Sequence, residues 1–231
     1  DINQSSDTFG PVGWNRLGQD IDGESGDFSG YSVSLSSDGS TVAIGALYND
    51  GNGSNAGRVR VYERDKDVTL GWTKLGGDID GEAAEDRSGI SVALTLYNSV
   101  ITVAIGAFDN DGTTGTNSDN RGHVRVYQYD SAKNMADTNQ SSSTFGPVGW
   151  NRLGQDIDGE ATGDKSGYSV SLSSDGSIVA IGAYDNDGTT GISYDSRGHV
   201  RVYQYSNSTW TQLGQILTGK RHGKSPVGLC H

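Results

Sequence analysis

The segment Trp14–Glu24, WNRLGQDIDGE, returns unchanged at Trp150–Glu160. It recurs as WTKLGGDIDGE at Trp72–Glu82 and in the degraded form WTQLGQ at Trp210–Gln215. A chain that copies itself at such a spacing does not build one irregular core. Each copy is a supersecondary unit that covers its apolar face with the next copy. Three whole units and one orphan Trp segment follow. The second unit is longer because of a polar stretch, Asp130–Val148, in which Asn139-Gln140-Ser141-Ser142 repeats Asn3-Gln4-Ser5-Ser6. The chain therefore joins the pattern inside such an insertion, as a processed protein or a piece of a longer array would.

Within each unit the apolar period is two, the signature of strands with one covered face. Tyr31-Ser32-Val33-Ser34-Leu35 alternates and stops at the turn signal Ser37-Asp38-Gly39-Ser40. Val42-Ala43-Ile44-Gly45-Ala46 is a strand of small residues suited to close backbone approach. Arg58-Val59-Arg60-Val61-Tyr62 alternates basic and apolar residues, and the Trp segment supplies the fourth strand. No apolar stripe at helical spacing with capping residues competes.

The fold class expected is all-β, a propeller-type array of four-stranded antiparallel blades. The boundaries are residues 1–13 as linker or partial insertion, 14–28 as an orphan outer strand and loop, and 29–80 as blade 1. Blade 2 takes 81–158 with its insertion near 130–148, blade 3 takes 159–217, and 218–231 form an irregular tail. A radial propeller closes with at least about four blades, so these three call for further blades or partner chains.

Ser29-Gly30-Tyr31-Ser32-Val33, then Ile44-Gly45-Ala46, then Gly57-Arg58-Val59-Arg60-Val61-Tyr62 resemble the FG-GAP repeat of integrin alpha-chain propellers and their secreted microbial relatives. The second set is Ser88-Gly89, Gly106-Ala107 and Gly122–Tyr127; the third is Ser166-Gly167, Gly182-Ala183 and Gly198–Tyr203. The resemblance runs over nearly all of residues 14–217. Ser29, Ser88 and Ser166 replace the family's Phe, and Leu47, Phe108 and Tyr184 replace its Pro. The resemblance implies an extracellular adhesion or scaffold module. The family's calcium loop between the first two strands does not carry over, because Ser36-Ser37-Asp38-Gly39 and Ser173-Ser174-Asp175-Gly176 hold one carboxylate each.

Lys and Arg number 17 against 29 Asp and Glu, a net charge of −12 that repels phosphate backbones and excludes nucleic acid as the expected partner. The apolar runs are far too short for a membrane span of about 20 residues. The single cysteine, Cys230, makes no internal disulfide.

Carboxylates concentrate in two loop types. The first is Asp20, Asp22, Glu24 and Asp27, repeated as Asp78, Asp80, Glu82 and Asp86 and as Asp156, Asp158, Glu160 and Asp164. The second is Asp109, Asp111 and Asp119, echoed by Asp185, Asp187 and Asp195 and reduced to Asn49 and Asp50 in the first unit. Closely spaced acids beside a glycine turn can supply the six to eight oxygens that Ca²⁺ takes, so Ca²⁺ is the candidate cofactor and the first set its candidate ligands. The same residues also suit plain Asp-Gly turns with solubilising edges.

The pairs Arg58/Arg60, His123/Arg125 and His199/Arg201 place a basic row on one face of the third strand, positioned for a cross-strand charge ladder. The Trp residues read as packing anchors between blades. Hydrolase, metalloprotease, P-loop and dinucleotide signatures are missing, and the expectation is a protein that is not an enzyme. Four sequons, at Asn3, Asn52, Asn139 and Asn207, are candidate glycosylation sites. Together these features lead to a secreted or cell-surface structural protein whose partners are other copies or further blades. The alternative is a calcium-dependent adhesin or lectin-like module that binds a cell-surface protein or glycan through its repeated acidic loops.

Overall fold

Alternation in each unit becomes a strand ladder in the computed structural model, which describes residues 10–65, 71–112, 118–188, 196–214 and 217–218. Blade 1 runs β1 (Ser32–Leu35), β2 (Thr41–Ala46), β3 (Arg58–Arg64), β4 (Trp72–Lys74) and β5 (Ile79–Asp80). Blade 2 holds β6 (Ser91–Tyr97), β7 (Val100–Ala107), β8 (His123–Tyr129), β9 (Trp150–Arg152) and β10 (Ile157–Asp158). Blade 3 holds β11 (Ser166–Leu172), β12 (Ile178–Ala183), β13 (His199–Ser206), β14 (Thr209–Gln212) and β15 (Leu217–Thr218). Every pairing between these strands is antiparallel, and the fourth position of each blade is split into two short pieces that both pair with the third strand. The fold is an all-β array of propeller-type blades. No helix among the described residues is long and apolar enough to cross a membrane.

Residues paired across a ladder share a face, which gives each blade one small face and one large face. In blade 1, Ser34, Ala43 and Val61 line the first, with Ser32, Gly45 and Val59 beside them. In blade 2, Leu94, Val103 and Tyr127 line the second, with Val92, Ile105 and Arg125 beside them. The small face of blade 1 packs on the large face of blade 2, burying Ala43, Val59 and Val61 against Leu94, Val103, Ile105 and Tyr127. The small face of blade 2 (Ala93, Ala104, Val124, Val126) packs in the same way on Val179, Ile181 and Tyr203 of blade 3.

Main-chain contacts fix this stacking. Gly30, Gly89 and Gly167 have φ of +87°, +87° and +86°, in the left-handed region that side chains disfavour. That turn aims the Gly89 carbonyl into a notch of blade 1, where Ser32 Oγ donates to it at 2.7 Å. Ser91 Oγ donates to the Gly167 carbonyl at the same 2.7 Å. Gly45 and Gly106 form the floors of the two notches, and a Cβ on either would run into that carbonyl oxygen. Next to each notch, Ser88 N–H donates to Ala56 O and Ser166 N–H to Arg121 O, both at 2.9 Å. At the outer edge, Trp150 Nε1 donates to Leu75 O at 3.2 Å and Trp210 Nε1 to Leu153 O at 2.7 Å. Burying an indole removes roughly 150–250 Å² from water, an upper bound of about 5 kcal/mol.

The N-terminal Trp segment differs from its expected form. Trp14–Ile21 is not an outer strand but irregular chain. Among the described residues no third strand lies ahead of it to pair with, and a strand without a ladder has no partner for its N–H and C=O groups. It lies instead along blade 1, where Leu17 O accepts from Trp72 Nε1 at 3.2 Å. The Asp130–Val148 insertion also has a defined shape. Asp137 and Gly146 exchange main-chain bonds of 2.9 Å, and Lys133 Nζ donates to the carbonyls of Thr144, Gly146 and Trp150.

Candidate functional site

The first acidic set meets the basic row of the third strands. In blade 1, Arg58 Nε donates to Asp80 at 2.6 Å, and Arg58 and Arg60 each reach Asp78 at 3.1 Å. Glu24, from the loop ahead of the blade, pairs with both arginines, while Lys74 holds Asp78 at 2.7 Å from the other side. In blade 2 Arg125 is gripped by Asp156, at 2.9 and 2.8 Å, and by Glu82, and Arg152 donates to Asp156 at 2.6 Å. Blades 1 and 2 thus each clamp a guanidinium between acids that follow the fourth strand and a glutamate that precedes the first.

Electrostatics follow from these contacts. Burial raises the Asp78 and Asp156 carboxyls, but bonds from Arg60 and Lys74 to the first, and from Arg125 to the second, outweigh it and hold both below the ordinary carboxylate range. The hydrogen bond from Arg60 likewise lowers Glu24. Asp158 goes the other way, raised by burial and by neighbouring Asp156. Burial, reinforced by the charge of Arg125, pushes His123 down to about 3, so it is neutral at ordinary pH. His199 is lowered for the same two reasons, burial and then Arg201.

The remaining members of the first set cap turns or face solvent. Asp86 accepts the N–H groups of Glu82 and Ala83 at 3.1 and 2.9 Å, and Asp164 those of Glu160 and Ala161 at 3.0 and 2.8 Å. Asp27 accepts from Asn49 Nδ2 at 2.6 Å. Asp20 lies 3.7 Å from Arg16, and Asp22 is exposed.

Two groups place a histidine beside carboxylates with ligand atoms within 4.8 Å of one another, Glu82–His123–Asp156 and Glu160–Asp164–His199. In the first, the Arg125 guanidinium already contacts both acids. A cation there would have to displace a buried arginine.

Blade 3 breaks the clamp. Ile216 and Thr218 stand where the previous copy has Asp156 and Asp158. Arg201 keeps Glu160 at 3.9 Å and the Asp158 carbonyl at 2.7 Å, and among the described residues its buried Nε has no hydrogen-bond partner, nor has Nε2 of His199.

In the second loop type, asparagine and aspartate side chains hold the turn. Asn49, Asn110 and Asn186 accept from Gly51, Gly112 and Gly188 N–H at 2.9, 2.7 and 2.8 Å. Asp50 accepts from Asn55 N–H at 2.8 Å, Asp111 from Asn120 N–H at 2.9 Å, and Asp187 from Ser196 N–H at 3.0 Å. Asp119 pairs with Arg121 at 2.7 Å, and Asp185 accepts from Ser196 Oγ at 2.6 Å. Asp109 is buried between Arg87, at 2.5 Å, and Lys165, joining blades 2 and 3. Asp195 and the sequon at Asn3 lie outside the described residues. The Asn52 amide already donates to Gly81 O and Glu82 O at 2.8 Å, whereas Asn139 and Asn207 are exposed on turns.

Sequence reasoning missed a cavity of about 310 Å³ beneath the insertion. Asp78, Glu82, Arg125, Asp137 and Phe145 line it. Phe145 lies under Arg152, whose guanidinium is 4.5 Å from the ring centre. The only hint in the sequence was the repeated Asn-Gln-Ser-Ser inside the insertion.

Residues 20–62 match the family profile of the FG-GAP repeat. Residues 20–62 thus carry an FG-GAP repeat. Comparison with curated proteins finds no match. Among solved structures, the chain is similar to a candidate 6-phosphogluconolactonase of Bacteroides uniformis at 10% identity and TM-score 0.33, over 83% of this chain and 57% of that one. It is also similar to the periplasmic gluconolactonase PpgL of Pseudomonas aeruginosa at 12% identity and TM-score 0.33, over 84% of this chain and 58% of that one. The expectation that this chain is not an enzyme is corrected here: the two solved structures named above are titled as lactonases. Missing motif signatures do not decide the matter, since a site can assemble from residues far apart in sequence. Likeness at this level brings no activity to the chain.

Proposed function

We propose that this chain is an assembly module of an extracellular FG-GAP repeat protein, in which its three blades are completed by further blades into a scaffold. One observation carries the reading. Among the described residues the stack ends in two uncovered faces of opposite kind, a large face on blade 1 and a small face on blade 3. Val33 and Leu35 are 64% and 57% exposed, whereas Leu94, which stands in blade 2 where Leu35 stands in blade 1, is 8% exposed. Contiguous apolar surface of this sort marks an interaction site. At the other end Ser169, Ala180, Gly182 and Val200 form the same small surface that blades 1 and 2 bury. The acidic, turn-rich surface and the exposed sequons suit a setting outside the cell.

The test is the native mass of the particle in solution, with calcium and then with a chelator. A defined oligomer that persists after chelation is expected. A stable monomer at every concentration overturns the reading, and a particle that dissociates on chelation replaces it with a calcium-held assembly.

A further inference from the structure

The cavity beneath the insertion has a counterpart one junction further on, and the comparison shows what the insertion adds. We infer that the insertion turns this cavity into a site for one neutral sugar ring, free or at the end of a glycan.

Both junctions share a floor. Asp78, Ile79, Asp80 and Tyr127 stand where the next junction has Asp156, Ile157, Asp158 and Tyr203. Between blades 2 and 3 that floor lies in a cavity of about 210 Å³, and the two-residue turn Asn207-Ser208 takes the place of the insertion. Between blades 1 and 2 the insertion lays Asp137, Gln140 and Phe145 over the floor, and the cavity reaches about 310 Å³. That is the lower end of the roughly 300–1,000 Å³ that small-molecule sites use. The roof is fastened. Arg152 Nη2 donates to Gln140 O at 2.6 Å, Gln140 Nε2 donates to Glu82 at 3.1 Å, and the Arg152 and Arg125 guanidinium groups lie 4.5 and 5.6 Å from the centre of the Phe145 ring. A site already held in shape binds without the cost of ordering its loops.

The chemistry of the lining selects the occupant. Its acids are already matched by cations, Asp78 by Arg58, Arg60 and Lys74, Asp80 by Arg58, and Glu82 by Arg125. A cationic ligand would compete with those groups for the same oxygens, and an anion would meet Asp78, Asp80, Glu82 and Asp137 together. A neutral ligand avoids both penalties. Hydrogen-bonding capacity remains on planar groups. Among the described residues, Asp80 gives Oδ1 to Arg58 Nε at 2.6 Å and has further acceptor positions on Oδ2. Asn52 donates through Nδ2 to Gly81 O and Glu82 O, which leaves its Oδ1, and Arg125 holds Asp156 and Glu82 through Nε and Nη2, which leaves Nη1. Adjacent hydroxyls, each donor and acceptor at once, match such a set. Ile79, Pro147 and Phe145 also line the cavity and offer apolar surface. A ring that carries hydroxyls on its rim and C–H groups on its faces satisfies both kinds of wall, and a sugar is such a ring.

The experiment titrates the full chain with glucose, galactose, mannose and N-acetylglucosamine, and with butylamine as a cationic probe, using saturation-transfer NMR and calorimetry. At least one sugar is expected to bind with a Kd of about 1 mM, the strength that roughly a dozen heavy atoms reach. Equal binding of its methyl glycoside identifies a glycan end as the source, and loss of binding on methylation identifies the free sugar. Phe145→Ala should weaken binding at least about tenfold. Ala136→Trp, which narrows the cavity from an exposed position on its rim, should do the same and serves as the test if Phe145→Ala loosens the insertion. Thr209→Trp, over the smaller cavity between blades 2 and 3, should leave binding unchanged. Circular dichroism confirms that each variant is folded. Failure of every sugar to bind, binding that survives the cavity variants, or capture of butylamine in place of sugar overturns the inference.

Discussion

Trp150 and Trp14 begin identical segments, yet Trp150 is fully buried and Trp14 is 73% exposed. Trp150 opens β9, pairs with β8 and donates to Leu75 O on the neighbouring blade. Trp14 makes the same tight turn, but among the described residues its segment has no ladder to join. The contrast separates what the repeat encodes locally, which is the turn, from what a neighbour must supply, which is the strand and its burial.

Substitutions can widen or erase this contrast. Trp150→Ala should cost about 3–5 kcal/mol in denaturant unfolding, the range for emptying a buried aromatic site, while Trp14→Ala should change the isolated chain by less than about 0.5 kcal/mol. Equal losses would mean that Trp14 is buried in solution. The next largest contrast concerns the clamps. Arg125→Met strips Glu82 and Asp156 of their shared partner and should cost about 3 kcal/mol, whereas Arg201→Met, where the following acids are replaced, should cost about 1 kcal/mol or less. A smaller effect of about 2 kcal/mol is expected for Gly106→Ala, whose Cβ runs into the Gly167 carbonyl. Gly182→Ala, whose Cβ meets the Ser169 hydroxyl rather than a carbonyl of another blade, should cost less, about 1 kcal/mol or under, because that hydroxyl can rotate away.

The pH dependence sharpens the same comparison. His123 titrates near 3 in the folded chain and near 6.5 unfolded, so the unfolded state binds the extra proton between those values. Its contribution is complete above pH 6.5 and is lost as pH falls toward 3, at about 1 kcal/mol between pH 6 and 5. Stability measured across that interval should fall less steeply in His123→Asn. An unchanged slope would assign the acid sensitivity to other groups.

The strand alternation, the Asp-Gly turns and the basic row facing acids were legible because each depends on near neighbours in sequence. The row of Arg58 and Arg60 opposite Asp78 and Asp80 follows from a period of two and an antiparallel ladder. Three things were not legible. That Trp14–Ile21 fails to form a strand depends on a partner far from it in the array. That Glu24 and Glu82 close the clamps from the opposite side depends on how a loop folds back over the blade. The cavity under Asp130–Val148 depends on Lys133 and Arg152 fastening an insertion whose composition reads only as polar linker. Acidic spacing likewise counts carboxylates but does not show that Arg125 stands between Glu82 and Asp156.

The glycine carbonyl seated in a serine notch has a further consequence for how such a chain changes over generations. The contact is written in each unit by its own Ser-Gly pair and its own Ser-Gly floor, and no part of it refers to a unit's position in the series. A duplication or deletion of one whole unit by unequal recombination leaves every surviving contact intact. Variants that gain or lose one whole unit are expected to fold as well as the parent, because each surviving junction keeps all of its own contacts.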